Sequence, residues 1–185
     1  MKKIALAIGT TFALFSLSSL ATNDGSLATG SSTGDLDITV EIPDLVQISG
    51  LNNIDLGTFS GSDLSGEDQV CVYRNGSGDY EITFTAGSNN GAADAASGVT
   101  GYELESSAGD TIAYTVDFED SLAGAYADTD VGINSALAGQ NGDDADATCG
   151  SGSNAKVRVN VAASEMESSP AGDYVGTLYM TVSPE

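Results

Sequence analysis

The chain contains no histidine, and outside its first few residues it carries only three basic side chains. Without histidine, the commonest general base and metal ligand is missing. Arg74, Lys156 and Arg158 stand against 27 acidic residues once Lys2 and Lys3 at the N-terminus are set aside. A surface of that sign repels phosphate backbones, which excludes nucleic acid as a partner. It also resists precipitation and tolerates salt. The carboxylates are spread along the whole chain, so no pair is singled out for glycoside-type chemistry. No glycine-rich loop sits between a strand and a helix, and no window shows helical periodicity with caps or a repeat of fixed period. Nothing here asks for an enzyme or a cofactor.

Long apolar runs are also missing, with one exception. "MKKIALAIGTTFALFSLSSLATNDG" places Lys2 and Lys3 before an apolar run, and Ser19-Leu20-Ala21 offers small residues at the two places a signal peptidase reads. Residues 1–21 read as a secretory signal peptide, and no other stretch approaches the roughly 20 residues of a spanning helix. Residues 22–185 remain, enough for one domain with a core. Export takes the chain through an oxidising compartment, where its two cysteines, Cys71 and Cys149, are expected to pair.

What is present in quantity is alternation. After a Gly, Ser and Thr leader at 22–34, "DLDITVEIP" (35–43) puts Leu36, Ile38, Val40 and Ile42 on one face and Asp37, Thr39 and Glu41 on the other, with Pro43 ending the run. A second short strand is expected in "DLVQISGL". "QVCVYRNGSGDYEITFTAG" reads as a hairpin about "NGSGD", with Tyr80, Ile82 and Phe84 inward. "TIAYTVDF" turns Ile112, Tyr114, Val116 and Phe118 inward. "AKVRVNVAAS" does the same with its valines and leaves Lys156 and Arg158 on a wet face. Residues 120–152 read as loop or irregular edge. Within them, "QNGDDADATCG" could offer oxygens of Asn141, Asp143, Asp144 and Asp146 to calcium, but it lacks the spacing and distal Glu of a calcium loop. Roughly eight short strands argue for an antiparallel immunoglobulin-like β-sandwich over residues 44–185.

The last run, "PAGDYVGTLYMTVSPE", alternates from Tyr174 through Gly176, Leu178, Met180 and Val182, and no following stretch supplies a neighbour for it. An unpartnered strand at the edge of a sandwich leaves an apolar groove and a row of unmet backbone groups. The 36–42 strand is the natural filler, of its own groove or of another molecule's.

These residues resemble the subunits of chaperone–usher pili of Gram-negative bacteria, closest to the alternate and archaic branches that include the spore coat U-like pilins. The likeness lies in "DITVEIPDLVQI", "IDLGTF", "CVYRNGSGDYEITFTAG" and, most specifically, "PAGDYVGTLYMTVSPE". The resemblance implies an incomplete immunoglobulin-like sandwich completed by donor-strand complementation: a homopolymeric pilus shaft serving adhesion or biofilm formation. It implies a periplasmic chaperone and an outer-membrane usher as assembly partners, and a final location on the cell surface. Carried onto this chain, Leu36, Ile38, Val40 and Ile42 are donor side chains. Tyr174, Leu178, Met180 and Val182 line the acceptor edge, and Glu185 is what the chaperone anchors. Many archaic subunits bridge cysteines closer to the first strand than Cys71 and Cys149. Two other readings fit the composition: a monomeric secreted β-sandwich binding module, its first strand folded into its own sheet, and a calcium-dependent surface or matrix protein.

Overall fold

A computed structural model describes residues 23–87, 101–150 and 152–185, so the expected signal peptide lies outside the described residues. The chain divides into two compact units, Met1–Ile42 and Pro43–Glu185. In the first, the backbones of Asn23 and Asp35 exchange hydrogen bonds of 3.2 and 3.0 Å and close the leader between them. Residues 36–42, expected as a strand, have no pairing partner among the described residues. Leu36, Ile38, Val40 and Ile42 are 67, 88, 86 and 75% exposed.

The second unit is almost entirely β. Its strands are β1 (Val46–Ser49), β2 (Leu64–Arg74), β3 (Asp79–Gly87), β4 (Tyr102–Ser106), β5 (Thr111–Glu119), β6 (Ala136–Asn141), β7 (Ala155–Val161), β8 (Tyr174–Val175) and β9 (Thr177–Pro184). A short helix, α1 (Ala163–Glu167), follows β7. The pairings between these strands are antiparallel and form two sheets, of order β1-β2-β7-β5-β4-β8 and β6-β3-β9. The sheets face each other as an immunoglobulin-like sandwich. Alternation decides which residues face inward: Ile112, Tyr114, Val116 and Phe118 of β5 are buried, as are Tyr80, Ile82 and Phe84 of β3. Phe84 meets Phe118 across the interior with ring centroids 5.5 Å apart, joining the two sheets.

Three expectations are corrected. The run through "NGSGD" is not a hairpin, because β2 pairs with β1 and β7 while β3 pairs with β6 and β9. Each is a central strand with both edges taken, so the turn carries the chain from one sheet to the other. Lys156 is not on a wet face, whereas Arg158 keeps a side chain 37% exposed, as expected. Segment 120–135 folds over β7, burying Lys156, whose Nζ donates to the Gly124 carbonyl at 2.9 Å and lies 4.7 Å from the Tyr126 ring centre. The final run is two strands: β8 joins β4, and β9 joins β3. The switch occurs at Gly176, where a Cβ would stand 3.0 Å from Leu104 Cδ2 and 3.1 Å from the Glu103 carbonyl oxygen.

Cys71 on β2 and Cys149 are joined by a disulfide, with Cα atoms 6.1 Å apart. The loop it closes is worth about 4–5 kcal/mol on the chain-entropy model. Among the described residues no helix is long and apolar enough to cross a membrane.

Candidate functional site

The six-stranded sheet presents more inner face than the three-stranded sheet covers, and the shortfall is a groove. One wall is the segment leaving β1. Gly50, at φ 79°, turns the chain out of the strand. The Asn52 backbone and side-chain amides then donate to the two oxygens of Asp68 at 2.7 and 3.1 Å. Ile54 and Leu56 descend onto β2 at Gly66, where a Cβ would lie 2.3 Å from Ile54 Cγ2 and 3.0 Å from Leu56 Cδ2. Only a residue without a side chain lets this wall approach the sheet. The opposite wall is Gly176, Thr177, Leu178 and Met180, and the floor includes Leu104, Tyr114, Val157 and Val159. The volume enclosed is about 310 Å³. Tyr114 stacks on Tyr102 with centroids 5.3 Å apart, and burial pushes its phenol up to about 12.

Strand β9 gives the groove its backbone chemistry. It pairs with β3 from Tyr80↔Pro184 to Gly87↔Thr177, and among the described residues its other edge has no strand partner. In an antiparallel pair, alternate residues turn their N–H and C=O groups away from the partner. β9 therefore presents a row of donors and acceptors along an apolar trough. Leu178, Met180 and Val182 are only partly buried, packed against the core on one side and open on the other. Leu178 and Met180 line the groove; Val182 continues the same face of β9. Tyr174 stands apart from them, on β8 in the other sheet, with its hydroxyl donating to the Pro170 carbonyl at 2.8 Å.

Near the end of β9, the Arg74 Nη2 donates to the main-chain oxygen of Glu185 at 2.7 Å, and the Glu185 side chain accepts from the Gly139 N–H at 3.0 Å. Arg74 is buried and lies flat against Gly78, where a Cβ would fall 1.6 Å from Nη1. On the outer face, Asp117 is buried and accepts from Arg158 Nε and Nη2 (2.9 and 2.6 Å), Asn160 (2.8 Å) and the Asp130 N–H (2.9 Å). Burial opposes its ionisation, but the Asp130 N–H, Arg158 and Asn160 outweigh that and hold the carboxyl below its ordinary value. A shallow cavity of about 590 Å³ beside Arg158 and Asn160 is edged by Asp63, Ser65 and Thr115, with Leu64, Tyr114 and Val161 also in its lining.

The acidic loop is occupied with its own folding. Asp146 accepts from the Thr148 hydroxyl (2.7 Å), the Thr148 N–H (2.8 Å) and the Gly150 N–H (3.0 Å), with its carboxyl lowered by the Thr148 bonds first. Asp143 accepts from the Ala145 N–H at 2.8 Å, and Asn141 donates to Asp120. Among the described residues no group of three or more acids or cysteines is arranged to hold a metal ion.

Sequence reasoning did not find the wall at 51–56 or its tether on Asp68. "NIDLGTF" contains no alternation long enough to mark it, and its one signal was Gly66 inside a strand-like run.

No protein-family model matches the chain, and no curated protein matches it. Among solved structures it is similar to a chain from work on a chaperone–tip adhesin complex in CFA/I fimbriae biogenesis. That likeness has a TM-score of 0.47 and 15% sequence identity, and it covers 76% of this chain and 41% of the other. The chain thus spans less than half the length of that neighbour.

Proposed function

We propose that the chain is a shaft subunit of a chaperone–usher pilus, polymerising when residues 36–42 of one copy fill the groove of the next. One observation carries the reading: an apolar groove with an unpaired strand along one wall belongs to the same chain as an exposed apolar segment of matching length. Burying each of Leu36, Ile38, Val40 and Ile42 contributes roughly 1.5–3 kcal/mol. The backbone of the segment meets the open edge of β9 beside Leu178, Met180 and Val182. Main-chain hydrogen bonds give the affinity and alternate side chains the register. Residues 43–45 span at most ~11 Å before β1 begins, a short connection that favours an outward-reaching arm. Until the segment of another copy arrives, a periplasmic chaperone lends a strand and holds Glu185. An outer-membrane usher then exchanges the strand and passes the fibre to the cell surface.

The test is a pair of variants. Ile38→Asp with Val40→Asp puts two charges into an apolar groove and abolishes fibres while export to the periplasm continues. Appending residues 35–43 after Glu185 through a flexible turn gives a soluble monomer. Fibres that survive the double change, or an appended chain that still associates, overturn the reading.

A further inference from the structure

We infer that association between copies of this chain is gated by ionic strength, so that added salt speeds assembly rather than weakening it. The inference rests on the strand-exchange reading and concerns its electrostatics. Each cation of residues 22–185 already has a partner within the fold, and two of the three are buried. Arg74 is buried on the Glu185 main chain, with Asp44 Oδ1 3.6 Å away. Lys156 is buried between the Gly124 carbonyl and Tyr126. Arg158 holds Asp117 at 2.6 Å and stacks 4.2 Å from the centre of the Tyr126 ring. Only Arg158, its side chain 37% exposed and already holding Asp117, reaches solvent. Cross-copy ion pairs, the usual means of steering protein partners together, are therefore outweighed by repulsion among the acids.

Both sides of the proposed contact are acidic. The entering segment carries Asp35, Asp37 and Glu41 between its apolar residues. On the receiving side Asp68 lines the groove, held by Asn52, and Asp55 and Glu103 stand exposed on adjoining stretches. Apolar burial and backbone pairing favour the contact, and they act at short range. Repulsion acts earlier, over a Debye length of about 30 Å at 0.01 M salt and about 3 Å at 1 M. Fields of this kind change on-rates by 10- to 10³-fold between opposite charges. Between like charges the same factor appears as a retardation that salt removes.

The experiment follows a fluorescent peptide of residues 35–43 binding to the full chain carrying Ile38→Asn and Val40→Asn, whose own segment no longer competes and whose charge is unchanged. Stopped-flow association is measured from 10 mM to 1 M NaCl, with a second peptide carrying Asp35→Asn, Asp37→Asn and Glu41→Gln. The expected result is an on-rate for the native peptide that rises at least tenfold with salt, while the neutral peptide binds at a nearly constant rate. A native-peptide rate that is flat or falls with salt overturns the inference and leaves strand exchange standing. A neutral peptide that accelerates equally also overturns it, because the effect is then hydrophobic. If neither peptide binds at any salt concentration, strand exchange itself is wrong and the gating falls with it.

Discussion

Strands β3 and β9 lie side by side in one sheet, with Ile82 opposite Val182, Phe84 opposite Met180 and Ala86 opposite Leu178. All six residues turn toward the same core, and both strands show the same alternation in sequence. Yet Ile82 and Phe84 are fully buried and Ala86 nearly so, while their three partners remain partly open. The difference lies outside both strands: β3 has a hydrogen-bonded neighbour on each edge and β9 has one. Periodicity says which face of a strand turns inward; it does not say whether anything lies alongside.

The sharpest way to break this comparison is to truncate matched residues. Phe84→Ala should destabilise the isolated protein by about 3–5 kcal/mol in urea unfolding, the range for a buried aromatic. Met180→Ala should cost about 1 kcal/mol, well short of the ~2–5 kcal/mol typical of a buried methionine. In a chain carrying residues 35–43 appended after Glu185, the Met180 penalty should grow toward the buried range. Equal penalties for Met180→Ala with and without the appended strand would contradict an open groove.

Away from the groove, Asp117 tests the covered side of the same sandwich. Asp117→Ala should cost about 2–3 kcal/mol at neutral pH, since it strands Arg158 and the Asp130 N–H without their acceptor. Its carboxyl lies below the ordinary 3.8 in the folded chain. The stability it supplies is therefore present above that value and is lost as pH falls through the lower folded one. Urea midpoints taken between pH 6 and 2 should show the wild-type advantage over Asp117→Ala shrinking toward the acid end. An advantage that is constant with pH would mean that the carboxylate charge is not what matters.

Gly66→Val should have a smaller effect on stability, about 1–3 kcal/mol from overpacking. It should act more strongly on the groove, because it pushes Ile54 and Leu56 off β2. Binding of the 35–43 peptide should weaken by more than the unfolding measurement alone explains.

The smallest effect expected is at Tyr80, whose hydroxyl is buried without a hydrogen-bond partner. Burial, and then the charge of Asp120, raises its pKa. Tyr80→Phe removes an unsatisfied polar group and should leave stability unchanged or raise it by up to about 1 kcal/mol. A loss beyond 1 kcal/mol would show that the hydroxyl has a partner in solution, such as an ordered water.

The residues that were legible in the sequence are those whose own pattern carries the information. β5, β7 and β3 announce their inward faces by alternation, and β9 does so as clearly as they do. β4, "YELES", went unread because it is short and two of its five residues are acidic. β6, "ALAGQN", has the composition of a loop and serves the sheet through its backbone. The pairing of β2 and β3 into different sheets was not visible, since a turn such as "NGSGD" fits either a hairpin or a crossing. The burial of Lys156 was hidden for another reason: the residues that cover it lie in segment 120–135, far away in the chain and without periodicity. Half of the groove, Leu178 and Met180, could be named in advance. The other half depends on Gly66 admitting a distant, irregular segment.

The bridge between Cys71 and Cys149 also makes the protein a covalent ring with two tails. The ring holds β3 and β6 from one sheet and β4 and β5 from the other, so it laces the sandwich together; β9 and the 51–56 wall hang outside it. A protease that nicks the backbone once between residues 72 and 148 leaves a single molecule, and the damage shows only when a gel is run under reducing conditions. One nick on the tail side, within 57–63 or 168–173, leaves a wall of the groove on a piece no longer covalently joined to the ring, which separates on a gel without any reductant.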